Sequence, residues 1–318
     1  MEKQNLRYFP IVLFASVMGF AAFTIAIIQL ENIYRLNPVV SSVLIAITTL
    51  LFLLNGGILV YRIFRHIENV KRDFNHPVKM NFFATVSISL LLLAVLYVDI
   101  HYYISFVFWI FGMVIQLLLT LTILTKMFWQ APFNLKLFTP ATFIPIVGNL
   151  VVPIGGFTYV SDEINWFFLA IGLFFSIVYM TYVFYRLFFV APLPPPLLPS
   201  VFIALAPPSV GFVAYTTAIG TIDIFAQILY GLALFFGLFL IIQFIKIIQG
   251  PFFISMWAFL FPTGAFTIAT IQMYEATNYL LYNILYVIQI IFLTALVVYL
   301  SWYTIIAWSK GKLAVADS

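Results

Sequence analysis

Apolar runs long enough to cross a bilayer, about 20 residues each, follow one another along almost the whole chain. They fall near residues 9–30, 39–64, 80–98, 102–125, 140–160, 164–190, 198–219, 222–247, 252–274 and 279–308. A membrane interior offers no water to backbone N–H and C=O groups, so segments of this length pair them internally as helices. Composition agrees: 8% of the residues are charged, against about 25% in soluble domains, and the mean hydropathy is +1.14. The expectation is an all-α polytopic membrane protein, one ten-helix transmembrane domain over residues 1–318. The first run continues into "IIQLENIYRLNP" without a small-residue cleavage site, so it reads as a retained span and not a signal peptide.

Charge orients the spans. With the N-terminus inside, Lys3, Arg7, Arg62, Arg65, Lys71, Arg72, Lys79, Lys126, Lys136, Arg186, Lys246, Lys310 and Lys312 fall on the inner side, and Arg35 alone outside. That asymmetry is the positive-inside signal and predicts cytoplasmic N- and C-termini. Glu31, Asp99, Asp162, Glu163, Asp223 and Glu275 fall outside, and Glu2, Glu68, Asp73 and Asp317 inside. The net charge of +4 therefore reflects insertion, and with no basic run interleaved with aromatics it predicts no nucleic-acid partner. Absence of cysteine excludes disulfides, thiolate metal sites and a cysteine nucleophile.

Short outer links, "SDEIN" at 161–165 and "GTID" at 220–223, join the spans into five helical hairpins. Each hairpin begins near an X-Pro step, at Pro10, Pro77, Pro140, Pro199 and Pro251, a loose internal period. Prolines inside spans occur only in odd-numbered ones: Pro145, Pro153, Pro207, Pro208 and Pro262. The odd spans also hold most of the small and polar residues, including Ser16, Gly19, Asn81, Thr85, Gly148, Asn149, Ser209 and Gly264. Any one of these residues is explained by close helix packing. Their joint segregation into alternate spans is not, and irregular backbone at membrane depth is tolerated where it is buried or lines a wet cavity. The expectation is that odd helices line a central pore and even helices lie outside. Ser16, Gly19, Asn81, Thr85, Gly148, Asn149, Pro207, Ser209 and Gly264 are the candidate lining residues, and Pro262 a candidate kink.

No Lys, Arg, Asp or Glu lies near the middle of a span, which weighs against proton pumping and tightly coupled symport. His66, His76 and His101 fall at span ends or in links, and read as interfacial residues and not a metal site. "SDE" at 161–163 and "KRDF" at 71–74 read as solvated loop charges, so neither an enzyme nor a cofactor is expected. Interrupted helices present unpaired N–H groups and positive dipole ends, and a basic inner mouth concentrates anions. A cation-selective pore would be expected to show acidic side-chain rings or carbonyl filters; the outer acids are a modest contrary signal.

The segments "GFAAFTIAIIQLEN" at 19–32, "HPVKMNFF" at 76–83, "TPATFIPIVGNLVVP" at 139–153, "LPSVFIALAPPSVGFVAY" at 198–215 and "WAFLFPTGAF" at 257–266 resemble, in order and spacing, the family of the bacterial tellurite-resistance protein TehA and the plant slow-type anion channels, which also includes fungal malate transporters. The resemblance covers essentially all ten spans. It implies a homotrimer in the membrane, each subunit with its own pore, and a pore-occluding phenylalanine in the ninth span at the position of Phe261. Without it, Phe259, Phe261 and Phe266 are equivalent candidates. Taken together, the residues and the resemblance predict a passive channel of the plasma membrane, or the inner membrane of a bacterium, gated by Phe261. It would conduct small anions such as chloride or nitrate. The alternatives are a secondary transporter exporting dicarboxylates such as malate or tellurite-like oxyanions, and a structural or signalling subunit with no flux.

Overall fold

The computed structural model describes residues 5–129 and 135–314, and every regular element in it is helical. Glu2, Lys3 and Asp317, three of the charges assigned to the inner side, lie outside the described residues. The α-helices are α1 (Phe14–Tyr34), α2 (Val39–Arg65), α3 (Ile67–Asn75), α4 (Ala84–Tyr97), α5 (Tyr102–Trp129), α6 (Ile144–Gly156), α7 (Asp162–Phe189), α8 (Ala206–Ile219), α9 (Ile224–Ile248), α10 (Leu260–Thr277) and α11 (Leu280–Ser309). Nine helical segments among the described residues are long and apolar enough to cross a membrane. The fifth apolar run is shorter than its expected 140–160: the helix ends at Gly156, and residues beyond it form a turn closed by N–H bonds from Thr158 and Tyr159 to the carbonyls of Gly155 and Gly156.

Burial alternates along the chain. The most apolar windows of the segments containing α1, α4, α8 and α10 are 83%, 72%, 83% and 89% buried, whereas those of α2, α5, α7, α9 and α11 are between 17% and 33%. Within α6 every residue except Ile154 is buried. The buried helices contact one another in a closed cycle, α1 to α4, α4 to α6, α6 to α8, α8 to α10 and α10 back to α1. Each also packs on the helix that follows it in the chain. The exposed helices turn a narrow stripe inward, and it is often polar: Ser41, Thr48, Asn55 and Arg62 on α2, and Ser105, Gln116 and Thr120 on α5. In hydrocarbon, polar side chains gain by facing protein, which is why these helices are apolar outside and polar inside.

All five buried helices begin in the same way. A 3₁₀ segment (Ile11–Leu13, Lys79–Phe83, Pro140–Phe143, Pro195–Leu205 or Ile254–Phe259) leads directly into the α-helix. Pro145 is the second residue of α6, Pro207 and Pro208 the second and third of α8, and Pro262 the third of α10. In a first turn the missing proline N–H is one that lacks an intrahelical partner in any case, so proline is tolerated there. Pro153 alone among these prolines lies well inside an α-helix.

One stretch corrects the sequence reading. Residues 71–74, expected as a solvated loop, belong to α3, and Asp73 is only 8% exposed. Its carboxylate accepts from Arg62 Nη2 at 2.6 Å and from Lys79 Nζ at 3.4 Å. Arg62, 1% exposed, also donates to the carbonyls of Arg7 and Phe9 at 3.0 and 2.8 Å. A buried carboxylate persists only when paired and hydrogen-bonded, and here the pair ties α2 and α3 to the N-terminal segment. Glu31, assigned to the outer side of the membrane, is also buried, and it accepts the Ser41 N–H in the first turn of α2.

Candidate functional site

Each of the five buried helices turns one stripe toward a common axis, with the three- and four-residue steps of a helix face. On the chain of α1 the stripe is Ala15, Met18, Ala22, Ile25 and Gln29; on α4, Thr85, Ile88, Leu92 and Val95; on α6, Ile144, Val147, Val151 and Ile154. The fourth stripe is Ile203, Ala206, Val210, Val213 and Thr217, and the fifth Ala258, Phe261, Ala265, Ile268 and Gln272. The first members of the stripes surround a cavity of about 30 Å³, and the later members a second of about 110 Å³. One water needs roughly 10–15 Å³ of such space, so both cavities are large enough for water, and the second is several times larger than the first. Among the described residues, Phe261 alone lines both cavities.

The series extends at both ends. Phe82 joins the first cavity to a vestibule of about 400 Å³ lined by Arg62, Arg72, Asp73, Lys79 and Lys312 together with apolar walls. Thr217 and Gln272 join the second cavity to an open pocket of about 360 Å³ that includes Glu275. Four spaces thus lie in sequence, divided by the rings of Phe82 and Phe261 and by an amide and a hydroxyl. Charged side chains line only the terminal two.

Of the three phenylalanines that the sequence leaves equivalent, packing separates one. Phe259 is clamped between Phe202 and Phe244, with ring centroids 4.6 and 5.5 Å away. Phe266 packs near Tyr230 at 6.1 Å and fills the space a Cβ on Gly237 would need. Both rings therefore point away from the axis, into helix contacts, whereas Phe261 faces the cavities.

The nine polar and small candidates behave differently. Thr85 alone among them lines a cavity. Ser16, Thr85, Asn149 and Ser209 donate to the carbonyls of Leu13, Phe82, Pro145 and Leu205, and Thr263 does the same to Phe259. These carbonyls sit at the 3₁₀-to-α junctions, where backbone pairing changes register and must be completed inside the membrane. Asn81 bonds the carbonyls of Pro77 and Val78. Pro207 is buried in the first turn of α8.

The glycines make close approaches possible. A Cβ on Gly19 would lie 2.7 Å from Leu260 Cβ, and one on Gly264 2.7 Å from Ala22 Cβ, so both glycines hold α1 against α10, the helix that carries Phe261. A Cβ on Gly148 would meet the Gln116 amide at 2.2 Å. That amide accepts from Ser87 Oγ and donates to the Pro145 carbonyl, at 2.7 Å in each case.

The chain's sequence matches the voltage-dependent anion channel family, SLAC1, over residues 8–305. It belongs to this family. One relative, an uncharacterized transporter of Methanocaldococcus jannaschii, is 30% identical over 295 residues, 85% of this chain and 83% of its own. The S-type anion channel SLAH2 of Arabidopsis thaliana is 29% identical over 275 residues, 84% of this chain but 53% of the plant protein. A tellurite resistance protein TehA homolog of Haemophilus influenzae is 25% identical over 255 residues, covering 79% and 77%.

In this member of the voltage-dependent anion channel family, most of the cavity walls, Thr85 and Phe261 apart, are residues that the sequence does not single out. Ala15, Ala22, Val147, Val151, Val210 and Ala265 look like any other small or aliphatic residue in a helix that is apolar on every side. Phe82, which lines both the vestibule and the first cavity, is not among the residues the sequence singles out, although the adjacent Asn81 is. The signal that could have found it is its three-residue offset from Thr85, on the same face.

Proposed function

We propose that this chain is an anion channel in which five helical hairpins, the short helix over 140–156 included as a span, form one ten-helix domain around a central path closed by Phe261. The observation that carries the reading is the position of that ring between two cavities on a common axis. A hydrophobic constriction of this kind closes by steric occlusion and dewetting. Among the described residues, the two inner cavities offer an ion no charged side chain, only hydroxyls and amides from Thr85, Gln29, Thr217 and Gln272. Such a lining suits passive conduction of small monovalent anions such as chloride or nitrate better than coupled transport, which needs ionisable groups. The basic vestibule lies on the cytoplasmic side and concentrates anions. Assembly as a homotrimer in the plasma membrane, or a bacterial inner membrane, completes the proposal.

The test is current across bilayers or whole cells for wild type and Phe261→Ala in chloride, nitrate and malate. A large gain of anion current in the variant is expected, with chloride and nitrate ahead of malate. Absence of current from both proteins, with each folded and in the membrane, refutes the channel; saturable malate uptake in the same preparation would indicate a transporter.

A further inference from the structure

We propose that the vestibule is a binding site for an amphipathic organic anion, a flat apolar body carrying one anionic head, and that its occupant closes the path from the inner side. The blocking role rests on the channel reading above; the binding does not.

The vestibule has about 400 Å³ of space, within the roughly 300–1,000 Å³ of ordinary small-molecule sites and far more than a monovalent anion fills. Its walls are apolar, with Tyr8, Val12, Val78, Phe82, Leu197 and Phe253 among them. Its charge is one-sided, since Arg62, Arg72, Lys79 and Lys312 face the single carboxylate of Asp73. That carboxylate is engaged by Arg62 at 2.6 Å and by Lys79 at 3.4 Å. Arg72 and Lys312 are exposed and enter from different parts of the chain, α3 and the segment after α11. Apolar walls with a cationic margin select a ligand that is itself apolar with an anionic end. Phe82 lines both the vestibule and the first cavity, so a body resting on that ring lies across the route to Phe261.

The experiment titrates purified protein in lipid nanodiscs with 1-naphthoate and with the uncharged 1-naphthamide by calorimetry. Variants are Arg72→Gln/Lys312→Gln, both positions exposed, and Leu197→Trp, which fills the space without changing charge. Saturable naphthoate binding is expected, weakened about tenfold in the charge variant, because exposed ion pairs contribute a few-fold each. It is lost in Leu197→Trp, and naphthamide binds at least tenfold more weakly. In Phe261→Ala channels, naphthoate reduces current from the inner face and not, at the same concentration, from the outer face. Equal binding of naphthoate and naphthamide, or unchanged affinity in both variants, overturns the site and reduces the signal to partition into lipid. If charge-dependent binding persists while Phe261→Ala carries no current, the site stands and the channel reading fails. If current flows but is blocked equally from both faces, the placement of the occupant is wrong.

Discussion

Replacing Arg62 by Met tests whether the buried ion pair organises the inner end of the molecule. The substitution keeps most of the side-chain volume and removes three contacts at once: Asp73 at 2.6 Å and the carbonyls of Arg7 and Phe9 at 3.0 and 2.8 Å. Breaking one side of a buried pair costs about 3–5 kcal/mol because the remaining charge stays desolvated. Here Lys79 still reaches Asp73 at 3.4 Å, and the aspartate side chain is 11% exposed, which places the loss at the low end, about 3 kcal/mol. At about 2 °C per kcal/mol for a chain of this size, the thermal midpoint in detergent falls by about 6 °C. The companion Arg62→Met/Asp73→Leu removes the orphaned carboxylate and recovers at least half of that loss. Midpoints are read by size-exclusion after heating, on wild type, both single variants and the double. A double variant as unstable as Arg62→Met would refute the argument, since it would show that the orphaned charge carries none of the cost.

Gly148→Ala forces the Gln116 amide away and breaks its bonds to Ser87 and Pro145; a loss of about 2–3 kcal/mol is expected from the buried groups left unpaired, with partial recovery when Gln116→Ala is added. Gly264→Ala pushes α1 from α10 and lowers the thermal midpoint, whereas Gly56→Ala, where a Cβ meets nothing within 4 Å, leaves it unchanged or raised by the helix propensity of alanine, up to about 1 kcal/mol. In the series Phe261→Leu, Val and Ala, anion current rises with the volume removed, and a flat series would separate current from the ring. Asp223, at the start of α9, is held below the usual carboxylate range by the Ala226 N–H and then by the Tyr215 hydroxyl. A depressed folded-state pKa stabilises above the ordinary aspartate value and ceases to do so as pH falls through the folded one, so Asp223→Asn flattens the acid limb of a stability–pH profile below about pH 4.

The sequence by itself determined that this is a membrane-spanning helical protein and which helices are buried. Length and continuity of the apolar runs fix the spans, because lipid leaves the backbone no partner but itself. Proline segregation marks the inner helices, because a 3₁₀ lead-in and a first-turn proline interrupt the regular backbone pairing, which is tolerated at membrane depth only where the segment is buried in protein. The sequence did not determine which face of each inner helix meets the axis. Polarity is a misleading guide there: Ser16, Asn149 and Ser209 turn to their own backbone, and Gly19, Gly148 and Gly264 admit a neighbouring side chain. A helix buried all round has no amphipathic face to read, so alanines and valines line the cavities unannounced. Nor could composition separate Phe261 from Phe259 and Phe266, since all three lie on one apolar helical stretch. Only the crossing of α10 against α1 and α9 decided which ring packs between helices and which stands between two cavities.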